Sequence, residues 1–329
     1  MIITKTPFRI SFFGGGTDYP IWYNKHGGKT ISSTIDKYSY IVLKKLPNFF
    51  DYKFRIRYFY REEVKNTKQI KHPTIRNTFN YFKIKSGLDL LHFSDLPSMS
   101  GMASSSAFTV GLIKAISESK LSKKMKNSEI SNLARYIEQQ LNNENIGSQD
   151  QIATTYGGFN IIKYSPKEKI QIKRINQKKI LKKIQDNCLL FYSGIQRQSS
   201  IVTEDLINNI KSKENLFLKT KIFADEAEKL LLSNNFDIEV FGKLLNESWL
   251  YKKNTSNYIS NEKLDRMYSI AIKSGALGGK ILGAGSGGFM LICAPSTKHK
   301  FILKKMNKYQ HINFEFEEKG THAIIKDKS

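Results

Sequence analysis

A chain of 329 residues exceeds one ordinary domain of about 100–150 residues and gives room for two, each with its own core. Hydrophobic residues at 40% and charged residues at 25% mark a globular protein; no run approaches the roughly 18 apolar residues of a membrane span, and the N-terminus MIITKTPFRIS lacks a signal-peptide pattern, so a cytoplasmic protein is expected. The net charge of +24 is spread as lysine through every region rather than gathered in one stripe, which argues against a nucleic-acid partner and leaves a field that draws anionic small molecules.

In chain order, β-branched and aromatic runs predict strands at Ile2–Ile10, Lys29–Leu46, Lys53–Tyr60, Leu88–Phe93 and Gly158–Tyr164. Apolar residues at helical spacing predict one helix through Phe108, Leu112, Ala115 and Ile116, and another over Ser128–Asn143. The lysine-rich stretch from Lys167 to Lys183 reads as an interdomain crossing, with the boundary near residue 185 and domains of 1–185 and 186–329. Beyond it lie a strand at Cys188–Tyr192, helical patterns over Ile201–Leu232, Asp237–Tyr251 and Asn261–Ser274, and a glycine-rich segment flanked by strand-like runs. A helix at Lys298–Lys308 and strands at His311–Glu317 and His322–Lys326 close the chain. This mixture, without strict alternation, predicts an α+β fold in two domains. Cys188 and Cys293 sit in apolar runs and read as buried thiols; the six histidines have no ligand spacing, so no transition-metal site is expected.

Three segments carry chemistry. In Arg9-Ile10-Ser11-Phe12-Phe13-Gly14-Gly15-Gly16-Thr17-Asp18-Tyr19, glycines after a strand let the backbone turn close to a ligand while Thr17, Asp18 and Tyr19 offer hydrogen-bonding groups to a hydroxylated small molecule. In Met99-Ser100-Gly101-Met102-Ala103-Ser104-Ser105-Ser106, small and hydroxyl residues open a helix, where free N–H groups and the positive dipole end suit phosphates. The third segment, Gly278 to Gly288, contains G-x-G-x-x-G, yet a strand-like run follows instead of a helix and no acidic residue lies about 20 residues on, so a dinucleotide fold is rejected. Lys280 is followed by Ile281, not Ser or Thr, which rejects a Walker A loop. Glu138 borders the apolar stripe of its helix, and Asp150 stands in the following loop before the turn Tyr156-Gly157-Gly158.

These three segments in this order, with Glu138 and Asp150 between the second and third, resemble the GHMP kinases. Within that superfamily, FRISFFGGGTDYP, the helix around Glu138 and GSQDQ followed by GGFN look most like the bacterial D-glycero-D-manno-heptose 7-phosphate kinases. The resemblance implies an N-terminal domain like domain 2 of ribosomal protein S5, a ferredoxin-like C-terminal domain, and transfer of phosphate from ATP to the C1 hydroxyl of a sugar phosphate for surface-polysaccharide precursors. It further implies that residues Met99 to Ser106 wrap the ATP phosphates, that Ser105 and Glu138 hold Mg²⁺, and that Asp150 faces the nucleophile. Arg9, Gly15, Gly16, Thr17, Asp18, Tyr19 and Gly285 then belong to the acceptor side. Arg197 is added as a partner for the acceptor's own phosphate, because a guanidinium fork suits phosphate oxygens. Ala103 stands where many members of the family have glycine. A superfamily kinase of fucose, another free sugar or a mevalonate-type alcohol, and a non-catalytic basic RNA-binding module, are the alternative readings.

Overall fold

The computed structural model describes residues 1–166, 170–196 and 199–326. It begins with β1 (Ile2–Phe13), α1 (Pro20–His26) and β2 (Gly28–Lys45), then β3 (Phe54–Arg57), β4 (Arg61–Val64), α2 (Pro73–Tyr81) and β5 (Leu88–Ser94). There follow α3 (Ser104–Glu118), α4 (Asn127–Tyr136), α5 (Gln149–Tyr156), β6 (Phe159–Tyr164), β7 (Ile170–Arg174) and α6 (Lys178–Asp186). The second part runs through β8 (Cys188–Tyr192), α7 (Ser199–Asn209), α8 (Glu214–Leu232), α9 (Ile238–Lys253) and α10 (Glu262–Lys273). It ends with β9 (Gly278–Ile281), β10 (Phe289–Cys293), α11 (His299–Lys305), β11 (Gln310–Ile312) and β12 (His322–Lys326).

β1 and β2 are long enough to organise the first sheet. β1 pairs antiparallel with β2 along its length; β2 then divides its other edge, its first half taking β6 and its second half β5. The order along the main path is β12-β1-β2-β5-β3-β4, with only β3 and β5 parallel. From Phe8 onward β1 is buried at every position, because helices α3 and α5 cover one face and the second part of the chain the other. The second sheet has the order β11-β8-β10-β9, wholly antiparallel. Since helices link β8 to β9 and α11 links β10 to β11, this is the β-α-β-β-α-β arrangement of a ferredoxin-like unit. The architecture is therefore α+β with the two expected units.

Several local expectations change. The predicted strand Lys53–Tyr60 is cut short at Arg57 by a turn into β4, and the run 311–317 is a strand only at its start, with Phe316 making a single bridge to Ile35. The predicted crossing at 167–183 is structured where described, as β7 on the edge of β6 and helix α6. The last strand, which a division at 185 assigns to the second domain, hydrogen-bonds to β1 in the first sheet. Cys188 and Cys293 lie opposite one another on β8 and β10 as buried free thiols.

One core cluster joins both parts: Phe8, Ile10, Phe12 and Phe13 of β1 pack with Phe241 and Leu245 of α9 and Leu282 within the third glycine segment. Polar contacts reinforce the joint, as Lys29 of β2 reaches Asp225 and Glu228 on α8 and Lys163 of β6 pairs with Glu228 at 2.8 Å. The three glycine segments are thus held at one place, where the sheet of the first part meets the helices of the second.

Candidate active site

A cavity of about 900 Å³ opens at that junction. Of the expected residues, Arg9, Gly15, Gly16, Asp18 and Tyr19 line it, together with Met99, Gly101, Ala103, Ser104, Ser105, Ser106 and Asp150. Five others among the described residues do not: Thr17, Ser100, Met102, Gly285 and Glu138. Thr17 spends its hydroxyl on the carbonyls of Gly14 and Lys29, at 2.8 and 3.0 Å, so it shapes the glycine turn rather than meeting a ligand. Ser100 and Met102 are fully buried behind the loop, and Gly285 is pressed against Ile259. Arg197 lies outside the described residues.

Asp150 stands in the first turn of α5, not in a loop. Arg9 clamps it in a two-pronged ion pair, Nε to Oδ1 at 2.8 Å and Nη2 to Oδ2 at 2.7 Å, while Nη1 donates to the Gly101 carbonyl at 2.7 Å. Arg9 was expected on the acceptor; here it ties the candidate catalytic carboxylate to the loop before α3, and this planar fork fixes the carboxylate's direction as well as its position. Asp18 anchors the other side. Its Oδ1 accepts from the Gly16 N–H at 3.0 Å and its Oδ2 from the Gln149 N–H at 3.2 Å. A Cβ at position 147 would fall 1.9 Å from Oδ2, so Gly147 is needed for this approach. Burial, and next the charge of Asp150, push the Asp18 carboxyl up from its ordinary range.

The loop before α3 bends through left-handed backbone at Met99, Gly101 and Ala103, with φ of 57°, 79° and 68°. Ala103 thereby pays the steric cost of a Cβ in that region, about 1 kcal/mol or more. Ala103→Gly should relieve it, and after the added freedom of the unfolded chain is deducted the net gain is about 0.5–1 kcal/mol, read as a higher denaturant midpoint at unchanged slope. The third glycine segment presses on this loop from the second part: at Gly288, φ 83°, a Cβ would fall 2.0 Å from the Ser100 carbonyl oxygen.

Glu138 has no exposed surface and sits behind the loop rather than on the cavity wall. The helix expected over 128–143 changes after Tyr136 into a π-helical turn, Ile137–Leu141, and the extra residue swings Glu138 from the border of the apolar stripe into the interior. There Oε2 accepts from Ser106 Oγ at 2.9 Å and Gln151 Nε2 at 2.5 Å, and Oε1 from Thr109 Oγ1 at 2.5 Å. The serine on Glu138 is therefore Ser106; Ser105, the expected metal partner, is exposed on the cavity side one position earlier. Burial above all, and then Glu144, raise the Glu138 carboxyl to about 7, against the three hydrogen bonds that lower it. Gln151 Oε1 is buried without a partner. Thr109 and Gln151 were not singled out from sequence, although a threonine among the apolar residues of α3, three positions after Ser106, marks a shared helical face.

Beyond the loop the cavity is walled by aromatic rings. Tyr58, His72, His92 and Phe108 form a chain of ring contacts with centroids 4.9–5.0 Å apart, and Phe59 and Tyr60 stand exposed at the rim. Burial first, and then His72, depress His92 to about 4; burial likewise lowers His72, so both imidazoles are neutral at pH 7. Such a wall offers flat stacking surface next to the loop that opens α3.

The comparisons match one family model in each part of the chain. Residues 68–158 match the model of the GHMP kinases N terminal domain and residues 227–311 that of the GHMP kinases C terminal domain. A D-glycero-alpha-D-manno-heptose 7-phosphate kinase of Campylobacter jejuni is 30% identical, with 98% of each chain covered. The chain is a GHMP kinase. A mevalonate kinase of Methanocaldococcus jannaschii is also 30% identical, over 93% of this chain and 96% of its own. A crystal structure of a D-glycero-D-manno-heptose 1-phosphate kinase from B. thetaiotaomicron superposes with a TM-score of 0.80 over 98% of both chains, at 20% identity, a likeness of fold. As a GHMP kinase the chain is an ATP-dependent phosphotransferase, and both of these relatives of similar length are kinases. Among the described residues no helix is long and apolar enough to cross a membrane.

Proposed function

We propose that this kinase transfers the γ-phosphate of ATP to the C1 hydroxyl of D-glycero-D-manno-heptose 7-phosphate, giving the 1,7-bisphosphate for nucleotide-activated heptose in the cytoplasm. The observation that carries the reading is the 30% identity to a heptose 7-phosphate kinase over 98% of the chain, with motif residues Arg9, Asp18 and Asp150 converging on one cavity. The mevalonate kinase of equal identity supports a second reading, a mevalonate-type acceptor, over a slightly smaller share of the chain.

Phosphoryl transfer demands alignment and charge neutralisation more than covalent chemistry from the protein. The loop from Met99 to Ser106 and the start of α3 bind the nucleotide's phosphates with backbone N–H groups and serine hydroxyls. The rings of Tyr58, His72, His92 and Phe108, which line the same cavity as that loop, take the base. Asp150 accepts a hydrogen bond from the acceptor hydroxyl. Both of its oxygens already accept from a guanidinium, which fixes the direction they face, so it orients the nucleophile and takes the proton late in the transfer.

Mg²⁺ fits the residues present. Glu138, Ser106 and the partnerless Gln151 Oε1 are hard oxygen donors close together, and a cation against them would offset the burial of the Glu138 charge. Bound there with the nucleotide, Mg²⁺ supplies neutralisation of the phosphate charge. The test is ATP consumption with Mg²⁺ against heptose 7-phosphate, free heptose, fucose, galactose and mevalonate. Selective turnover of the 7-phosphate with phosphate added at C1 supports the reading; selective turnover of mevalonate overturns it.

A further inference from the structure

β1 meets the start of α5 through two consecutive pairs. Arg9 and Ser11, two positions apart on β1, share one face of the strand, and opposite them Asp150 and Gln149 stand in the first turn of α5. Arg9 holds Asp150. Ser11 holds Gln149: its Oγ donates to Gln149 Oε1 at 2.9 Å, and both residues are buried. Gln149 Nε2 then lies 3.4 Å from Asp150 Oδ1. An ionised carboxylate only accepts, so the amide turns its N–H₂ toward Asp150 and its oxygen toward Ser11. The backbone N–H of Gln149 donates to Asp18 Oδ2 at 3.2 Å, so main chain and side chain are both fixed.

One donor is left over. A primary amide carries two N–H bonds, and among the described residues Nε2 has one protein acceptor, Asp150. That contact is itself longer than the usual range of about 2.7–3.2 Å, so it steers the amide more than it occupies it. Ser11, Gln149 and Asp150 all line the cavity, which sets the remaining N–H beside the carboxylate assigned to the acceptor hydroxyl. Arg9 does not duplicate this donor, because Nε and Nη2 are given to Asp150 and Nη1 to the Gly101 carbonyl.

In a sugar that reacts through its C1 hydroxyl, C1 also bears the ring oxygen, an acceptor with no hydrogen of its own. A carboxylate that only accepts, next to an N–H that only donates, matches these two oxygens in one way: hydroxyl on Asp150, ring oxygen on Gln149. An alcohol of the mevalonate type has no second oxygen on its reacting carbon and would leave the amide unpaired, which a buried polar site penalises.

We infer that Gln149 is a specificity residue that recognises the acceptor as a hemiacetal, donating from Nε2 to the ring oxygen while Asp150 holds the C1 hydroxyl. The inference rests on the sugar-phosphate reading and gives that reading a contact that mevalonate cannot use. Ser11 acts through Gln149, as the positioning residue that sets which way the amide faces.

The test is a cycle that removes the contact from each side in turn. The natural enzyme and Gln149→Met are each assayed, with ATP saturating, on heptose 7-phosphate and on its carbocyclic analogue, in which a methylene replaces the ring oxygen and the C1 hydroxyl is kept. The natural enzyme should prefer the sugar in kcat/KM, and Gln149→Met should shrink that preference by about 3- to 10-fold, the worth of one neutral hydrogen bond. Any change that the methylene brings to the acidity of the hydroxyl is common to both enzymes and cancels. Ser11→Ala should shrink the preference in the same direction, with the KM for ATP within about twofold of the natural value. An equal preference in the natural enzyme and Gln149→Met would overturn the inference and leave Gln149 a packing role. Equal kcat/KM for the two acceptors in the natural enzyme overturns it without recourse to any variant. Absence of wild-type turnover of the 7-phosphate removes the proposed function and this inference with it, a result distinct from turnover without preference.

Discussion

Asp150→Asn should lower kcat by about 10²- to 10⁴-fold while the KM for ATP stays within about a factor of two. The asparagine fills the same space, but its amide N–H₂ must face either Nε or Nη2 of Arg9, donor against donor, where the carboxylate now accepts from both. The variant therefore loses the acceptor for the sugar hydroxyl and the guide that aims it. Arg9→Met should give a loss of similar kind, since it frees Asp150 to turn and unties the Gly101 carbonyl from β1. Because the two residues act as one unit, the double variant should be scarcely worse than either single one. Turnover of Asp150→Asn within tenfold of the natural enzyme would remove Asp150 from the reaction, and additive losses would separate it from Arg9.

Much of this arrangement was legible in the sequence because its signals are local. Glycines after a strand, small hydroxyl residues before an amphipathic helix, and a third glycine cluster between strands each specify a turn, and the turns are where the family resemblance named them. What was not legible depends on partners far apart in the chain. The pairing of Arg9 with Asp150 spans 141 positions, and no periodicity announces it. Glu138 was placed at the border of its helix by a regular 100° step; the π-helical turn at Ile137–Leu141 breaks that step, and the sequence carries no plain mark of it. The choice of Ser106 over Ser105 likewise follows from which face of α3 meets Glu138, a packing question.

The second sheet repeats the lesson. β8 and β10 are continuous apolar runs whose strands were read at sight, but β12 was grouped with its sequence neighbours although it pairs with β1, some 320 positions away at the other end of the chain. Lys252 and Lys253 are the two basic residues in the last turn of α9, where cations complement the helix dipole. Lys253 pairs with a surface carboxylate, Asp265, at 2.6 Å. Only the crossing of α9 with the third glycine segment turns Lys252 inward.

Glu138→Gln should stabilise the metal-free protein at pH 7.5 while lowering kcat by 10²-fold or more, on the order expected for loss of a group that places a catalytic cation. The carboxyl releases its proton near 4.5 in the unfolded chain and at about 7 in the folded one. Between those values the folded state binds the extra proton, so stability from this group is complete below about pH 4.5 and is lost as pH rises to 7, by about 3 kcal/mol. Glu144, also pushed up by burial, adds a slope of the same sign. A glutamine carries no charge to bury. Ser106 and Thr109 can turn to meet its amide, and a flip of Gln151 gives its partnerless Oε1 a donor. Denaturant unfolding at pH 5 and pH 7.5 checks this: the natural protein should lose stability between the two, the variant should lose markedly less, and Mg²⁺ with nucleotide should restore the natural protein at pH 7.5 but not the variant. Equal slopes in the two proteins would mean that Glu138 ionises freely in the fold. That result would remove the buried charge as the reason this site takes a cation.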